Sequence, residues 1–294
     1  MVDILEGYID VQGGKVWFRE AGGGRGGAPL LILHGGPGVP HDYLEPLEAL
    51  ADERPVIFYD QLGCGNSEKP ENPSLWTIDH YVNELVRIRH ALRLDKVHIL
   101  GQSWGSMLAT DYMLSRRPEG VLSLVFSGPC LSASRFVADQ KAGLAKMPAD
   151  TQRVIAEKEA SGDFDSAEYQ EAMTAYYSRH VCRLSPWPDC LNRALEKFGK
   201  SVYLHMWGPS EFTVTGTLKD YERAERLKEI SPPILFTCGR YDEATPETTA
   251  YYQSMAPGST LVVFEDASHE HHLEKPKEYL ETVRLFLRRA DTHR

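Results

Sequence analysis

The chain has 294 residues, of which 42% are hydrophobic and 25% are charged, proportions typical of an ordinary globular protein. This length allows one large domain or a main domain that carries an insertion. The formal net charge of -10 comes without a run of Lys or Arg, so no nucleic-acid partner is expected. An acidic surface favours either cationic ligands or simply solubility.

The amino terminus and the cysteines predict a soluble, cytoplasmic protein. Residues Met1 to Gly7 lack the basic start and apolar stretch of a signal peptide, and no later segment is long and apolar enough to span a bilayer. Five cysteines without a close CxxC pair argue against a disulfide framework and a zinc site. We expect reduced thiols and no metal or cofactor, although Cys182 and Cys190 would pair if the loop between them folded back.

The first predicted element is a hairpin, because Tyr8–Val11 and Lys15–Phe18 flank the glycine pair Gly13-Gly14, which accepts the positive φ angles of a tight turn. Glycines between Gly22 and Gly27 then predict a loop. Short apolar runs bounded by turn residues follow, and such runs suit strands buried on both faces. They are Leu30–Leu33, Val56–Tyr59, Val97–Leu100, Leu122–Phe126, Pro233–Thr237 and Thr260–Phe264.

Helical patterns alternate with these runs, most clearly after Thr77, a predicted N-cap followed by apolar residues at spacings of three and four. This alternation predicts a mostly parallel central sheet with helices on both faces. It stops between about residues 131 and 227, where the chain becomes helix-like and rich in aromatic and charged residues. We therefore expect a core of residues 1–130 and 228–294, with a helical cap at 131–227 and a closing helix around Tyr279 to Leu287.

The strongest candidate site is Gly101-Gln102-Ser103-Trp104-Gly105, which follows a predicted strand and precedes a predicted helix. That context is the one in which GxSxG forms the nucleophile elbow of the α/β-hydrolase fold. Small residues at Gly101 and Gly105 allow a sharp turn, which leaves the hydroxyl of Ser103 exposed above the sheet. The motif predicts Ser103 to be the nucleophile of a serine hydrolase.

A serine hydroxyl needs a base to remove its proton and a carboxylate to orient that base. Asp242 follows the strand that ends near Thr237, and His269 follows the strand that ends near Phe264. The three residues therefore occur in the order Ser, Asp, His, which is the order of the triad along the chain in this fold. His271 and His272 are neighbouring alternatives to His269, but the cluster lacks the spacing of a HExxH metal site. We expect Asp242 and His269 to complete a catalytic triad.

An oxyanion hole is predicted from His34-Gly35-Gly36-Pro37-Gly38, which follows the first parallel strand. Pro37 has no N–H group to donate. We therefore assign the backbone amides of Gly36 and Trp104 as the pair of donors.

At these residues the sequence resembles the proline iminopeptidase family of α/β hydrolases, which includes the aminopeptidase partner of the archaeal tricorn protease and related amino-acid amidases. The resemblance covers nearly the whole chain. The stretches that carry it are His34–Gly38, Asp60–Ser67, Gly101–Gly105, Gly208–Phe212, Gly239–Glu243 and the loop at His269.

The resemblance implies a substrate with a free α-ammonium group, because the family holds that group with acidic side chains that align with Glu211 and Glu243. A carboxylate beside the triad Asp is also costly unless a cation offsets it. Two positions depart from the family. Trp207 stands where members often carry an amide, and Leu62 stands where the most proline-selective bacterial enzymes have Arg. Strict proline specificity is therefore not expected, and Trp207 is a candidate pocket residue.

The predicted function is release of an N-terminal residue, proline or another small or apolar one, from a short peptide, an amino-acid amide or an aminoacylated small molecule. The alternatives are a general esterase or lactonase with the same triad, and a ligand-binding protein built on a hydrolase fold. The preferred residue and the oligomeric state are not predicted.

Overall fold

The computed structural model describes residues 3–292, and its centre is an eight-stranded sheet in the order β1-β2-β4-β3-β5-β6-β7-β8. The strands β1 and β2 are antiparallel to their neighbours, and every neighbouring pair among the other six strands is parallel. The predicted α/β architecture is therefore confirmed. The strands are β1 Ile4–Val11, β2 Gly14–Ala21, β3 Leu30–Leu33, β4 Val56–Tyr59, β5 Val97–Gln102, β6 Val121–Ser127, β7 Ile234–Gly239 and β8 Thr260–Phe264.

Helices follow most of the parallel strands. The α-helices are α1 Ile78–Ala91, α2 Trp104–Arg116, α3 Ala133–Leu144, α4 Ala149–Ser161, α5 Ala167–His180, α6 Asp189–Glu196, α7 Lys200–Met206, α8 Pro246–Met255, α9 His271–Glu274 and α10 Pro276–Thr292. Short 3-10 segments cover His41–Asp52, Pro73–Leu75 and Ala224–Glu229. The hydroxyl of Thr77 accepts a hydrogen bond from the amide of His80, which confirms the predicted N-cap of α1.

The predicted hairpin and strands are present, and several extend beyond the sequence-based bounds. β1 and β2 pair from Ile4 to Ala21 through a turn in which Gly13 has φ 94°, a conformation that glycine adopts without steric cost. The closing helix is also longer than predicted, because α10 covers Pro276–Thr292 rather than 279–287. The segment His41–Asp52 is helical although its sequence drew no prediction, and Pro46 lies within it.

Successive residues of the parallel strands point to opposite faces of the sheet. On β3, Leu31 and Leu33 pack into the cluster that contains the apolar face of α1 and α2, whereas Leu30 and Ile32 pack into the cluster that contains α10. All four leucine and isoleucine side chains are buried. The continuous apolar run of this strand is thus explained by two cores, one on each face of the sheet.

Helices α3 to α7 lie between β6 and β7 in the chain, in the region that the sequence predicts as an insertion. The cysteines of the chain are free thiols, including Cys182 and Cys190. Within residues 3–292 the structure shows no helix that combines the length and the apolar character needed to cross a bilayer.

The packing of α2 against β3 depends on a glycine. A Cβ atom at Gly105 would lie 2.2 Å from the backbone oxygen of Leu33 and 3.0 Å from that of His34. Backbone atoms cannot yield as the end of a flexible side chain can, so the helix and the strand approach each other this closely only without a side chain.

We therefore expect Gly105→Ala to lower the free energy of unfolding by about 1 to 3 kcal/mol, the usual cost of overpacking a core. The matched control is Gly24→Ala, because a Cβ at Gly24 meets no heavy atom within 4 Å, and it should change the stability by less than about 0.5 kcal/mol. Urea unfolding monitored by circular dichroism measures both variants. Equal urea midpoints for the Gly105→Ala and Gly24→Ala variants would contradict the close packing of α2 against β3.

Candidate active site

Ser103 lies at the sharp turn between β5 and α2. Its backbone has φ 50° and ψ -117°, a conformation that an L-residue rarely adopts and that costs about 1 to 3 kcal/mol. The turn is held by a hydrogen bond from the amide of Ser103 to the carbonyl of Ser127, at 2.9 Å. A Cβ at Gly101 would lie 2.4 Å from the carbonyl oxygen of Gly105, so the turn closes only because both flanking positions are glycine.

Asp242 and His269 meet at the carboxyl ends of β7 and β8. Nδ1 of His269 lies 2.7 Å from Oδ1 of Asp242, and both side chains are buried. The carboxylate also accepts a hydrogen bond from the amide of Ala244 at 2.8 Å. A carboxylate oxygen can only accept a hydrogen bond, so Nδ1 of His269 carries the proton that it donates to Asp242. Nε2 of His269 is then left to act on another group. A side chain at Gly128 would displace the imidazole, since its Cβ would lie 2.7 Å from Cε1 of His269.

The charge environment separates His269 from the two histidines that follow it. Burial lowers the pKa of His269, but attraction and hydrogen bonding from Asp242, with a further contribution from Glu243, raise it to about 10. Burial instead lowers the pKa of His271 to about 4 and that of His272 to about 3. Nε2 of His271 is 3.0 Å from the hydroxyls of Ser127 and Thr237. His271 and His272 are therefore neutral packing residues.

The two amides assigned to an oxyanion hole have no protein acceptor within the described part of the chain. Trp104 is the first residue of α2, where the amide lacks an intrahelical partner. Gly36 has φ 110° and precedes a cis peptide bond to Pro37. The neighbouring amide of Gly35 is already occupied, because it donates to the hydroxyl of Tyr43 at 2.8 Å. The amides of Gly36 and Trp104 thus remain available to an acceptor in the space that Ser103 faces.

A cavity of about 480 Å³ opens at this edge of the sheet and extends under α5, α6 and α7. Ser103, His269 and Gly36 line it together with Glu211 and Glu243. The rest of the wall is largely apolar or aromatic. These other residues include Val39, Tyr43, Tyr169, Met173, Tyr177, Val181, Trp187, Leu191, Leu195, Phe198, Tyr203 and Leu204.

The two predicted amine-binding glutamates share this cavity wall. The hydroxyl of Tyr203 donates a hydrogen bond to Glu211, and Oε1 of Glu243 lies 3.9 Å from Nε2 of His269. Oε2 of Glu243 is buried without a hydrogen-bond partner among the described residues. Burial raises the pKa of both carboxyl groups, and Glu211 raises that of Glu243 further. The charge of His269 lowers both pKa values, but this imidazole is already paired with Asp242, so the cavity holds two buried acids that share one cationic side chain with the triad.

Trp207 lies behind the cavity wall. Its side chain is buried and packs edge-on against Phe136, with ring centroids 5.2 Å apart, and it is not one of the residues that line the cavity. Its indole Nε1 is buried without a hydrogen-bond partner among residues 3–292, so the structure shows no hydrogen bond from Trp207 to Glu211. Leu62 is likewise a core residue outside the wall. The two positions that depart from the family pattern thus do not touch the cavity directly.

Glu270 lines the cavity and was missed by sequence reasoning. Its position next to His269 was visible, but a surface carboxylate on a loop was the ordinary interpretation of an acid there. Burial raises its pKa to about 8. Only the folded chain shows that this loop turns its acid inward.

A separate cleft beside the His41–Asp52 segment contains a group with the composition of a metal site, His41, Asp42 and Glu45. One candidate ligand atom of each residue is already engaged, whereas Oδ2 of Asp42 is buried without a hydrogen-bond partner among the described residues. Nδ1 of His41 is 2.8 Å from Asp60, Oδ1 of Asp42 is 2.7 Å from Nζ of Lys197, and Glu45 pairs with Arg193. These contacts favour an ion-pair network over a metal centre.

Comparison with known proteins agrees with the fold described above. A family model described as alpha/beta hydrolase fold matches residues 28–276. A proline iminopeptidase from Heyndrickxia coagulans is 49% identical over 96% of this chain and 98% of its own length. The crystal structure of proline iminopeptidase from Mycobacterium smegmatis superposes with a TM-score of 0.90 at 34% identity, over 98% of this chain and 99% of that one.

The crystal structure of VinJ is also similar, with a TM-score of 0.93 and 34% identity over 97% of this chain and 99% of that chain. In each comparison the similarity covers nearly the full length of both chains. Together with the shared fold, this similarity shows that the chain belongs to the proline iminopeptidase family of α/β hydrolases.

Proposed function

We propose that this protein is a serine aminopeptidase that releases an N-terminal residue, proline or another small or apolar one, from a short peptide, an amino-acid amide or an aminoacylated small molecule. The observation that carries this proposal is the shared cavity. Ser103 and His269 line the same wall as Glu211 and Glu243, so a group bound by the acids lies beside the candidate nucleophile. The names of the relatives support the same activity.

The electrostatics of the cavity favour a cationic substrate group. Among the described lining residues, Lys200 is the one Lys or Arg, and its Nζ lies 3.5 Å from Asp165 with a side chain that is 68% exposed. It therefore does not neutralise the buried acids. A substrate ammonium between Glu211 and Glu243 would stabilise both carboxylates by charge-assisted hydrogen bonds. The same cation would lower the pKa of His269 and so favour the neutral imidazole that a base requires.

The proposed reaction follows the serine hydrolase scheme. The hydroxyl of Ser103 attacks the carbonyl carbon while Nε2 of His269 accepts its proton and Asp242 holds the imidazole through Nδ1. The amides of Gly36 and Trp104 stabilise the oxyanion. His269 then donates its proton to the leaving nitrogen, which leaves an aminoacyl ester on Ser103. Water, activated by His269, hydrolyses that ester and regenerates the serine.

We also propose that residues 131–227 form the cap of the core built from residues 1–130 and 228–294. This segment supplies Glu211 and most of the apolar cavity wall from α5, α6 and α7. A cap over the site excludes water from the reacting groups, which strengthens the electrostatic interactions within it.

We expect Ser103→Ala to lower kcat on a prolyl arylamide by about 10,000-fold or more, because no other group can form the acyl-enzyme. The control is Ser115→Ala, an exposed serine on α2, the helix that follows Ser103, and its hydroxyl donates a hydrogen bond to the carbonyl of Asp111. Steady-state kinetics and circular dichroism on both variants provide the measurement. Near-normal turnover by the Ser103 variant would rule out the assignment.

The second prediction concerns the amine. The wild-type enzyme should cleave a free-amine prolyl p-nitroanilide much faster than its N-acetylated form, and Glu243→Gln should reduce that preference about 10- to 100-fold, the value of a charge-assisted hydrogen bond. Glu265→Gln is the matched control, because Glu265 is exposed and pairs with Arg240 away from the cavity. Equal rates on the two substrates would instead favour the esterase or lactonase alternative.

A pH profile tests the charge coupling between Glu243 and His269. As a base, His269 must be neutral, so kcat/KM falls as the pH drops through its pKa. The carboxylate of Glu243 contributes to raising that pKa, so Glu243→Gln should move the acid limb to lower pH. An N-acetylated ester substrate keeps amine binding out of the comparison. An acid limb that stayed in place or moved to higher pH would contradict the coupling.

A further inference from the structure

Glu270 is a third acid of the cavity, and its carboxyl group has no assigned partner. The amide of Glu270 donates to the carbonyl of Val181 at 2.8 Å, which fixes the residue directly beside His269. The side chain is 7% exposed. Neither oxygen makes a hydrogen bond to a residue in the range 3–292, and Oε2 is sealed from solvent. Oε1 is therefore the oxygen that faces the cavity.

The tautomer of His272 affects which protonation state is favoured at the nearest oxygen of Glu270. Nε2 of His272 lies 3.0 Å from the carbonyl oxygen of Tyr43, and a carbonyl can only accept, so this nitrogen carries the proton. Nδ1 then bears a lone pair, and it lies 3.5 Å from Oε2 of Glu270. A carboxylate would place two lone pairs opposite each other. A protonated Oε2 faces Nδ1 favourably, so the geometry favours a neutral carboxylic acid.

The charged groups around Glu270 favour the same state. Burial raises its pKa, the charge of His269 lowers it, and Asp242 and Glu274 raise it, with a resulting value of about 8. His272 provides no positive charge, because burial lowers its pKa to about 3. Oε1 of Glu274 accepts a hydrogen bond from the hydroxyl of Ser268 at 2.7 Å. With the proton on Oε2, Oε1 presents a carbonyl-type acceptor to the cavity.

The location of Glu270 matches the leaving group. In the proposed reaction His269 must reach the leaving nitrogen, and the amine of the substrate occupies Glu211 and Glu243 on one side of it. Glu270 follows His269 in the chain, and its amide donates to the carbonyl of Val181, a residue of the same cavity wall. The apolar side chains of Trp187 and Leu191 belong to the same cavity wall. A hydrogen bond made there is shielded from water.

We propose that Glu270 is a specificity-determining residue that recognises the leaving group, because Oε1 of its neutral carboxyl group accepts a hydrogen bond from an amide N–H beyond the scissile bond. This inference rests on the proposed aminopeptidase activity. It makes peptides and peptide amides better substrates than arylamides or simple esters, which have no such N–H group. Since a buried acceptor left unpaired is costly, the discrimination is about tenfold.

The test compares two substrates with the same released residue. Prolyl-glycinamide has a carboxamide N–H in its leaving group, whereas prolyl p-nitroanilide has none. We expect Glu270→Leu to lower the ratio of kcat/KM for the amide to kcat/KM for the anilide about tenfold. Glu270→Gln keeps a neutral acceptor and a donor for Nδ1 of His272, so its ratio should stay within about twofold of the wild-type value. Both substrates use His269, so a change in its pKa cancels in the ratio.

Glu270→Met serves as a second apolar variant if the leucine variant does not fold, which thermal unfolding shows. A ratio that is unchanged in the apolar variants would overturn the proposal, as would a glutamine variant that behaves like them. A third substrate, with a lysine residue in its leaving group, tests the charge of Glu270. If the apolar variants lost kcat/KM only on that substrate, the proposal would also be overturned, because recognition of a lysine ammonium group requires a carboxylate. Failure of the wild-type enzyme to cleave either substrate contradicts the proposed function itself, and the inference with it.

Discussion

The candidate site depends on one constraint, the parallel direction of the six neighbouring strands β4, β3, β5, β6, β7 and β8. Parallel strands end at the same edge of the sheet, so the loops after β3, β5, β7 and β8 meet there although they are far apart in the sequence. These loops bear Gly36, Ser103, Asp242 and His269. The contact of α2 with β3 at Gly105 holds the elbow in place. A change that separates these backbones therefore affects the candidate nucleophile as well as the core.

Electrostatics is the second feature that unites the site. Burial concentrates the acids Glu211, Glu243 and Glu270 around a single imidazole. Such an arrangement is unfavourable without compensation, because buried like charges repel and lose their hydration. Proton uptake supplies part of the compensation, and a substrate cation would supply the rest. This is why we propose that the cavity binds an amine rather than a neutral acyl chain.

The sequence predicted the sheet and its order of elements well, because strands buried on both faces have continuous apolar runs and the intervening helices have a clear periodicity. The elbow was recognisable because it needs glycines at two fixed positions around Ser103. Other features were not recognisable. The helical segment His41–Asp52 contains Pro46, a residue that argues against a helix in the sequence. The burial of Trp207 behind the cavity wall depends on its packing with Phe136.

The sequence by itself determined the fold class, the family resemblance and the residues Ser103, Asp242 and His269 as candidates, because these depend on local patterns and on chain order. The tertiary structure decided which neighbours share a cavity and which hydrogen-bond partners each of them has. It distinguishes His269 from His271 and His272 by the partners of each imidazole, and it turns Glu270 inward. Burial and hydrogen bonding are properties of the whole folded chain, and no local pattern contains them.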